Sequence, residues 1–202
     1  MYKLSRELED ICTVMKTAYD RNLITPRDGN ISIKKGNFMY ITPSGVLKHT
    51  LKPQDMVGFK FEDGSTSIEI SKKPSGELEM HTKLQFVDLA EQRCVIHMHP
   101  TFTIAAMHKG FNLQDIAKDF PELSRYTRVA YNVRTLPVTS SILASETLSA
   151  LTDSSERLQF DIVGQANHGV CAVGTSVREA FEHIERLEHC CKIVILSGVS
   201  SK

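Results

Sequence analysis

The segment Val-Ile-His-Met-His-Pro at residues 95–100 sets two imidazoles two residues apart in a run that otherwise reads as a buried strand. Strand side chains alternate faces, so His97 and His99 would point the same way. Pro100 has no N–H and would end the ladder there. Two histidines at a strand end could hold a divalent metal at a sheet rim; the plainer alternative is a pair of packed or edge histidines. A catalytic zinc site usually takes three protein ligands and leaves one position open. A third ligand from elsewhere in the chain would decide between the two.

Asn-His-Gly at 167–169 is the best source of one. His168 falls in a turn between two strand-like pieces, where a side chain can leave the sheet. By itself it reads as an ordinary turn histidine; beside His97 and His99 it would complete a facial three-histidine set. Glu77 stands at a helix start after Pro-Ser-Gly. A carboxylate there is favoured by the helix dipole, and it could equally serve as a ligand or a base. His81, one turn further on the same face, reads as a packing residue.

Three short loops carry the residues that hold anions: Gly-Asn-Ile-Ser at 29–32, Thr-Pro-Ser-Gly at 42–45 and Lys-Pro-Ser-Gly at 73–76. Each is an ordinary turn by composition. Together they offer backbone N–H groups exposed by glycine, hydroxyls, and an amide at Asn30, with a helix start after the third. Composition alone does not bring them together in space.

The elements that must position these groups follow from periodicity. Residues 5–21 read as an amphipathic helix, with Leu8, Ile11, Cys12, Met15, Ala18 and Tyr19 at helical spacing and Ser5 as its N-cap. Ile31–Ile33 and Phe38–Thr42 read as a hairpin, and residues 57–70 as short strands around Asp63-Gly64. A helix is expected from Glu77 to about Glu91, a strand over 93–99, and a short helix after Thr101. Residues 110–145, broken by Pro121 and Pro137, give no clear pattern. Residues 145–152 look helical; 162–164 and 169–174 look like paired strands. The last helix is the clearest: Ser176 and Glu179 form a capping box, an apolar stripe runs from Val177 to Cys191 interrupted only by Glu188, and Gly198 stops it. Interleaved strands and helices without repeat or linker point to one α/β domain over residues 1–202.

Composition narrows the class. Lys plus Arg equals Asp plus Glu at 24 each, which gives no support for nucleic-acid or membrane-surface binding. No apolar run approaches the roughly 18 residues of a membrane span, and the N-terminus does not read as a signal peptide. The five cysteines are odd in number and form no C-x-x-C pair. A reducing compartment, by default the cytoplasm, is expected.

With Gly-Asn-Ile-Ser, Ile-Thr-Pro-Ser-Gly-Val, Pro-Ser-Gly-Glu, His-x-His-Pro and Asn-His-Gly in this order, the chain resembles the class II aldolase/adducin family from about Tyr19 to about Ile195, and most closely its L-fuculose-1-phosphate aldolase branch. The resemblance implies a three-layer α/β/α sandwich around a mostly antiparallel sheet. It implies one Zn2+ per subunit, or another divalent metal, held by His97, His99 and His168 with Glu77 near enough to be a fourth ligand. It implies a substrate phosphate held by Asn30, Ser44, Gly45, Ser75 and Gly76, and a homotetramer with active sites at subunit interfaces. The implied reaction is reversible cleavage of a ketose 1-phosphate, L-fuculose 1-phosphate-like or a deoxypentulose 1-phosphate. Its products are dihydroxyacetone phosphate and an aldehyde, formed through a zinc-stabilised enediolate, with Glu77 as general acid/base.

Two departures from the family pattern stand out. The loop often written Pro-Ser-Ser-Glu is Pro-Ser-Gly-Glu here, so Gly76 lacks one hydroxyl. A tyrosine supplied by a neighbouring subunit could correspond to Tyr126 or Tyr131, and there is no tyrosine after Tyr131. Related activities are a pentulose-5-phosphate 4-epimerase, typically with Asp at the Glu77 position, and methylthioribulose-1-phosphate dehydratase, which lacks a glutamate in this loop. A non-enzymatic adducin-like module would lack the three histidines.

Overall fold

The structure is a computed structural model of the chain and describes residues 5–62, 65–68 and 72–199. In chain order its elements are α1 (Ser5–Asp20), β1 (Asn30–Lys35), β2 (Phe38–Ile41), β3 (Val57–Glu62), β4 (Ser65–Ile68), α2 (Leu78–Gln85), β5 (Gln92–Met98), α3 (Thr101–His108), α4 (Leu113–Asp119), α5 (Pro121–Tyr126), α6 (Ser141–Leu151), β6 (Ile162–Gln165), β7 (Gly169–Gly174) and α7 (Val177–Ser197). The strands form one seven-stranded sheet in the order β4-β3-β2-β1-β5-β7-β6, antiparallel at every pairing. The expected turn at Asp63-Gly64 and the end of that segment at 69–70 lie outside the described residues.

Strand alternation sorts the core into layers. On one face Ile31, Ile33, Cys94, Ile96, Met98, Val170 and Ala172 pack with α1 and α7. On the other, Val95, Val163, Cys171 and Val173 pack with Met80 and Leu84 of α2 and Leu143, Ala144 and Leu151 of α6. Helices therefore cover both faces of an antiparallel sheet, the expected α/β/α sandwich. The β5 register sets Asn30 opposite His97 on one side and Cys171 opposite it on the other. His97 thus projects from the middle of the sheet toward the α2/α6 layer.

Several local expectations need correction. Ser5 stands inside α1 instead of capping it. The helix after Glu77 ends at Gln85, well short of Glu91. Its end is closed by Arg93, whose buried guanidinium donates through Nη1 to the carbonyls of Leu84 (2.8 Å) and Val87 (2.6 Å), satisfying groups a longer helix would have used itself. Asp88 then takes a left-handed conformation with φ 57°. Helix α6 starts four residues before the expected 145, because the Ser140 hydroxyl accepts from the Leu143 N–H (3.2 Å) and caps it. In α7, Ser176 accepts from the Glu179 N–H (3.1 Å) as expected, but Glu179 reaches one residue further back, to the Thr175 N–H (2.6 Å). Gly198 closes α7 in the left-handed conformation, φ 73°.

Glu188, the one acid on the α7 stripe, has a use there. Its carboxylate accepts from the backbone N–H groups of Phe102 (3.0 Å) and Thr103 (2.7 Å) and from the Thr103 hydroxyl (2.7 Å). These are first-turn donors of α3, which no preceding side chain caps. The bond anchors the corner immediately after His99. No helix among the described residues is long and apolar enough to cross a membrane.

Candidate active site

The three loops nominated by composition are stitched together by backbone bonds. Ile31 and Thr42 exchange bonds: the Thr42 N–H donates to the Ile31 carbonyl (3.0 Å), and the Ile31 N–H to the Thr42 hydroxyl (3.2 Å). Pro43 and Pro74 form an antiparallel bridge, flanked by Ser44 N–H to Lys73 carbonyl (3.0 Å) and Ser75 N–H to Thr42 carbonyl (3.2 Å). The two Pro-Ser-Gly turns therefore lie side by side, next to Asn30 at the start of β1. Asn30, Ser44, Gly45, Ser75 and Gly76 line one open cavity of about 410 Å³ with Glu77, His97, His99 and His168.

The histidines converge at one end of this cavity. Their ligand nitrogens all lie within 4.8 Å of one another, and Nε2 of His97 and Nε2 of His99 are 2.8 Å apart. A tetrahedral zinc ion with bonds of about 2.05 Å would hold ligand nitrogens about 3.3 Å apart. His97 donates from Nδ1 to the Val170 carbonyl (3.0 Å), which fixes its tautomer and leaves Nε2 as a lone pair facing the cluster. His99 has Asp28 behind it, with Oδ2 3.6 Å from Nδ1. His168 sits in the three-residue turn between β6 and β7, held by its N–H to the Gln165 carbonyl (2.9 Å). Asn167 in that turn is left-handed (φ 57°) and is tied to His108 (2.9 Å) and Thr135 (3.0 Å).

Gly169 is needed for close approach. A Cβ there would stand 2.4 Å from the Met98 carbonyl oxygen and 2.7 Å from Cδ2 of His99. Gly29 serves on the opposite side: its φ is +72°, and a Cβ would stand 2.7 Å from Ile24 and 3.3 Å from the His97 carbonyl oxygen.

Glu77 takes the N-cap position of α2 but does not cap it; the Ser75 hydroxyl accepts the Glu77 N–H (3.3 Å) instead. The carboxylate is turned inward and buried, with Oε2 3.8 Å from His97 Nε2 and Oε1 3.9 Å from His168 Nε2. Burial pushes its pKa up to about 7, with a small opposing pull from the Thr139 backbone. Burial moves the imidazoles the other way: His97 falls well below the usual range, helped by its histidine neighbours, and His168 falls to about 4. His99 is also lowered by burial, against the opposing pull of Asp28. At neutral pH the three rings are neutral and present lone pairs. Glu77 Oε2 is buried without a hydrogen-bond partner among the described residues. A cluster of neutral imidazole nitrogens facing an unpartnered carboxylate oxygen fits a divalent cation.

Periodicity assigns His81 to packing, and the structure gives it more to do. It is fully buried, its Nε2 bonds Asn30 Oδ1, and its Nδ1 meets the Ser32 hydroxyl (2.7 Å). Gln85 Nε2 donates to that same hydroxyl (2.7 Å). The chain of bonds sets the roles: Ser32 donates to Nδ1, and Nε2–H donates to the Asn30 carbonyl. The relay thus holds Oδ1 of Asn30, a residue that lines the cavity. The signal is present in the sequence, since Ser32 shares a strand face with Asn30 while His81 and Gln85 share a helix face. Val138 and Thr139 also line the cavity, from the segment with no readable pattern. Thr139, left-handed at φ 57°, places its methyl where a Cβ on Gly76 would come within 3.1 Å. Tyr126 and Tyr131 are exposed on this chain and do not line the cavity.

The site is thus a three-histidine cluster beside a carboxylate, at the end of an antiparallel sheet and lined by three Gly/Ser loops. Residues 9–195 match the class II aldolase and adducin N-terminal domain, and the chain belongs to that family. It is 28% identical over 189 residues to an L-fuculose phosphate aldolase of Methanococcus maripaludis, covering 93% of this chain and 95% of that one. It is 29% identical over 196 residues to a 5-deoxy-D-ribulose 1-phosphate aldolase of Bacillus thuringiensis serovar kurstaki, covering 94% and 84%. The crystal structure of L-fuculose-1-phosphate aldolase from Thermus thermophilus superimposes with a TM-score of 0.77 at 21% identity, over 95% of this chain and 94% of that one.

Proposed function

We propose that the chain is a metal-dependent class II sugar-phosphate aldolase, a carbon–carbon lyase that reversibly cleaves a ketose 1-phosphate to dihydroxyacetone phosphate and an aldehyde. The observation that carries this reading is the single cavity in which His97, His99, His168 and Glu77 meet the Asn30, Ser44–Gly45 and Ser75–Gly76 loops. The three histidines would hold the metal, zinc in the first instance, with Glu77 as a fourth ligand when substrate is absent. Bound there, a divalent ion supplies Lewis-acid polarisation of a ketose carbonyl.

The chain's own groups divide the remaining work. The loop N–H groups, hydroxyls and the Asn30 amide hold the phosphate away from the bond that breaks, and so fix the ketose against the histidine end. Cleavage of C3–C4 would pass its electron pair to the three-carbon fragment, while the proton of the C4 hydroxyl passes to solvent as the C4–O bond becomes the aldehyde carbonyl. Glu77, whose carboxylate faces His97 and His168, then delivers a proton to the former C3; in the condensation direction it removes one. The Pro-Ser-Gly-Glu loop places Glu77 four residues after Lys73 and directly beside the phosphate-binding Ser75 and Gly76, so binding and proton transfer share one short segment. The enzyme would act as a cytoplasmic, single-domain subunit of a homotetramer, with a neighbouring copy's Tyr126 or Tyr131 available to the aldehyde end. No nucleic acid or membrane partner is required.

The test needs no knowledge of the aldehyde. Dihydroxyacetone phosphate incubated with the metal-loaded protein in deuterated buffer should lose one hydroxymethyl proton stereospecifically, and a chelator should stop the exchange. A metal-loaded protein that gives no exchange would move the assignment to the epimerase or dehydratase activities of the same fold.

A further inference from the structure

The phosphate-binding groups described so far are all dipoles. Ser44, Ser75, the two glycines and Asn30 offer N–H and O–H donors without a full positive charge. Two cations share the cavity lining, Arg27 and Lys48. Arg27 is exposed, and its guanidinium donates to the Gly45 carbonyl. Lys48 is different. It is 3% exposed, at the start of a short 3-10 turn whose position is fixed by its own N–H bonding the Pro26 carbonyl (2.8 Å).

The Lys48 side chain runs back under the Thr-Pro-Ser-Gly loop and donates from Nζ to the Pro43 carbonyl, one residue before Ser44 and Gly45. An ammonium has three N–H donors, and the Pro43 carbonyl uses one. No carboxylate among the described residues comes within ion-pair distance of it; Asp28 acts on it only at longer range. A buried cation without a charged partner is costly, and an arriving anion would relieve that cost.

We propose that Lys48 is the charged member of the phosphate site, contributing a direct ammonium–phosphate contact behind the Ser44–Gly45 turn. This rests on the phosphate reading given above and deepens it. The ligand class is a phosphate monoester, whose two negative charges the neutral donors of two turns and one amide do not offset. Lys48 meets that need, since its charge offsets the dianion in a cavity that already holds Asp28 and Glu77. Burial holds the Lys48 pKa down to about 8, so an arriving dianion would also favour its charged form.

The experiment compares dihydroxyacetone phosphate with unphosphorylated dihydroxyacetone in the metal-loaded protein, reading KM for solvent exchange of the hydroxymethyl proton. The wild type should prefer the phosphorylated compound strongly, and Lys48→Met should cut that preference about 10- to 100-fold. Equal losses for both compounds, or an unchanged preference, would overturn the assignment of Lys48 alone. A wild type with no preference would overturn the phosphate reading and Lys48 with it. Should Lys48→Met fail to fold, the wild type labelled with 15N-lysine gives the answer. The Nζ resonance that Lys48→Arg removes should shift on titration with inorganic phosphate, and a resonance unmoved at saturation would refute the contact.

Discussion

Glu77 Oε2 stands 3.8 Å from Nε2 of His97, buried and without a hydrogen-bond donor of its own among the described residues. A carboxylate so placed is close enough to share a cation with the imidazole and, once displaced, to handle a proton beside it. Glu77→Gln keeps the shape and removes the base. Exchange of the hydroxymethyl proton of dihydroxyacetone phosphate should fall about 10²- to 10⁴-fold, the usual range for losing a general acid/base. The dissociation constant for the phosphorylated ligand should change by no more than a few-fold, since the substitution leaves Ser75 and Gly76 in place. Exchange at the wild-type rate would remove Glu77 from the chemistry.

His99 is the proposed ligand to remove when testing the proposed metal site. It is partly exposed, whereas His97 is fully buried in the middle of the sheet, so truncating His97 would also leave a cavity there. His99→Ala should lose stoichiometric zinc after dialysis and lose exchange activity, with its far-UV circular dichroism retained. A His99→Ala protein that still carries one zinc per chain would show that the cluster is not the metal site.

How much of the molecule is legible in its sequence depends on how local each signal is. The alternation of residues 95–99 places His97 and His99 on one face, and the turn before Gly169 gives His168; both signals are contained in a few residues. Convergence of the three loops is not readable. It depends on the Pro43–Pro74 bridge and on bonds between Ile31 and Thr42, pairings across 31 and 11 positions that leave no periodic trace. Helix α2 reads too long in the sequence because its stop is supplied by Arg93 from a following strand, a tertiary substitute for a local cap. Thr139 escapes notice because its left-handed backbone carries no glycine or asparagine to announce it.

The His81 relay predicts a pH dependence. Burial lowers the His81 pKa to about 3, against 6.5 in the unfolded chain. Its contribution to stability is therefore complete above pH 6.5 and is lost as the pH falls from 6.5 toward 3, because the unfolded chain takes up a proton that the folded one refuses. One such group contributes a slope of about 1.4 kcal/mol per pH unit in that window. Urea titrations of metal-free wild type and His81→Leu between about pH 4 and 7 should differ by about that slope. Near neutral pH, His81→Leu should be less stable by roughly 1–3 kcal/mol, from unsatisfied Ser32 and Asn30. It should also weaken binding of dihydroxyacetone phosphate, and adding Asn30→Ala should weaken it little further. Additive losses would mean that His81 does not act through Asn30.

Gly169 tests whether the metal cluster is set by backbone packing. It is not in a left-handed conformation, so what alanine lacks there is room: its Cβ would press on the Met98 carbonyl at 2.4 Å and on the His99 ring at 2.7 Å. The backbone carbonyl cannot swing aside without breaking the β5–β7 ladder, so the His99 ring must shift to make room. Gly169→Ala should therefore cost roughly 1–3 kcal/mol in unfolding free energy, as overpacking does in well-filled sites. It should also weaken metal binding, though all three histidines and Glu77 remain. Competition with a fluorescent zinc chelator measures the second effect separately from the first. Unaltered zinc affinity in a destabilised Gly169→Ala protein would show that the ring of His99 has slack the structure does not suggest.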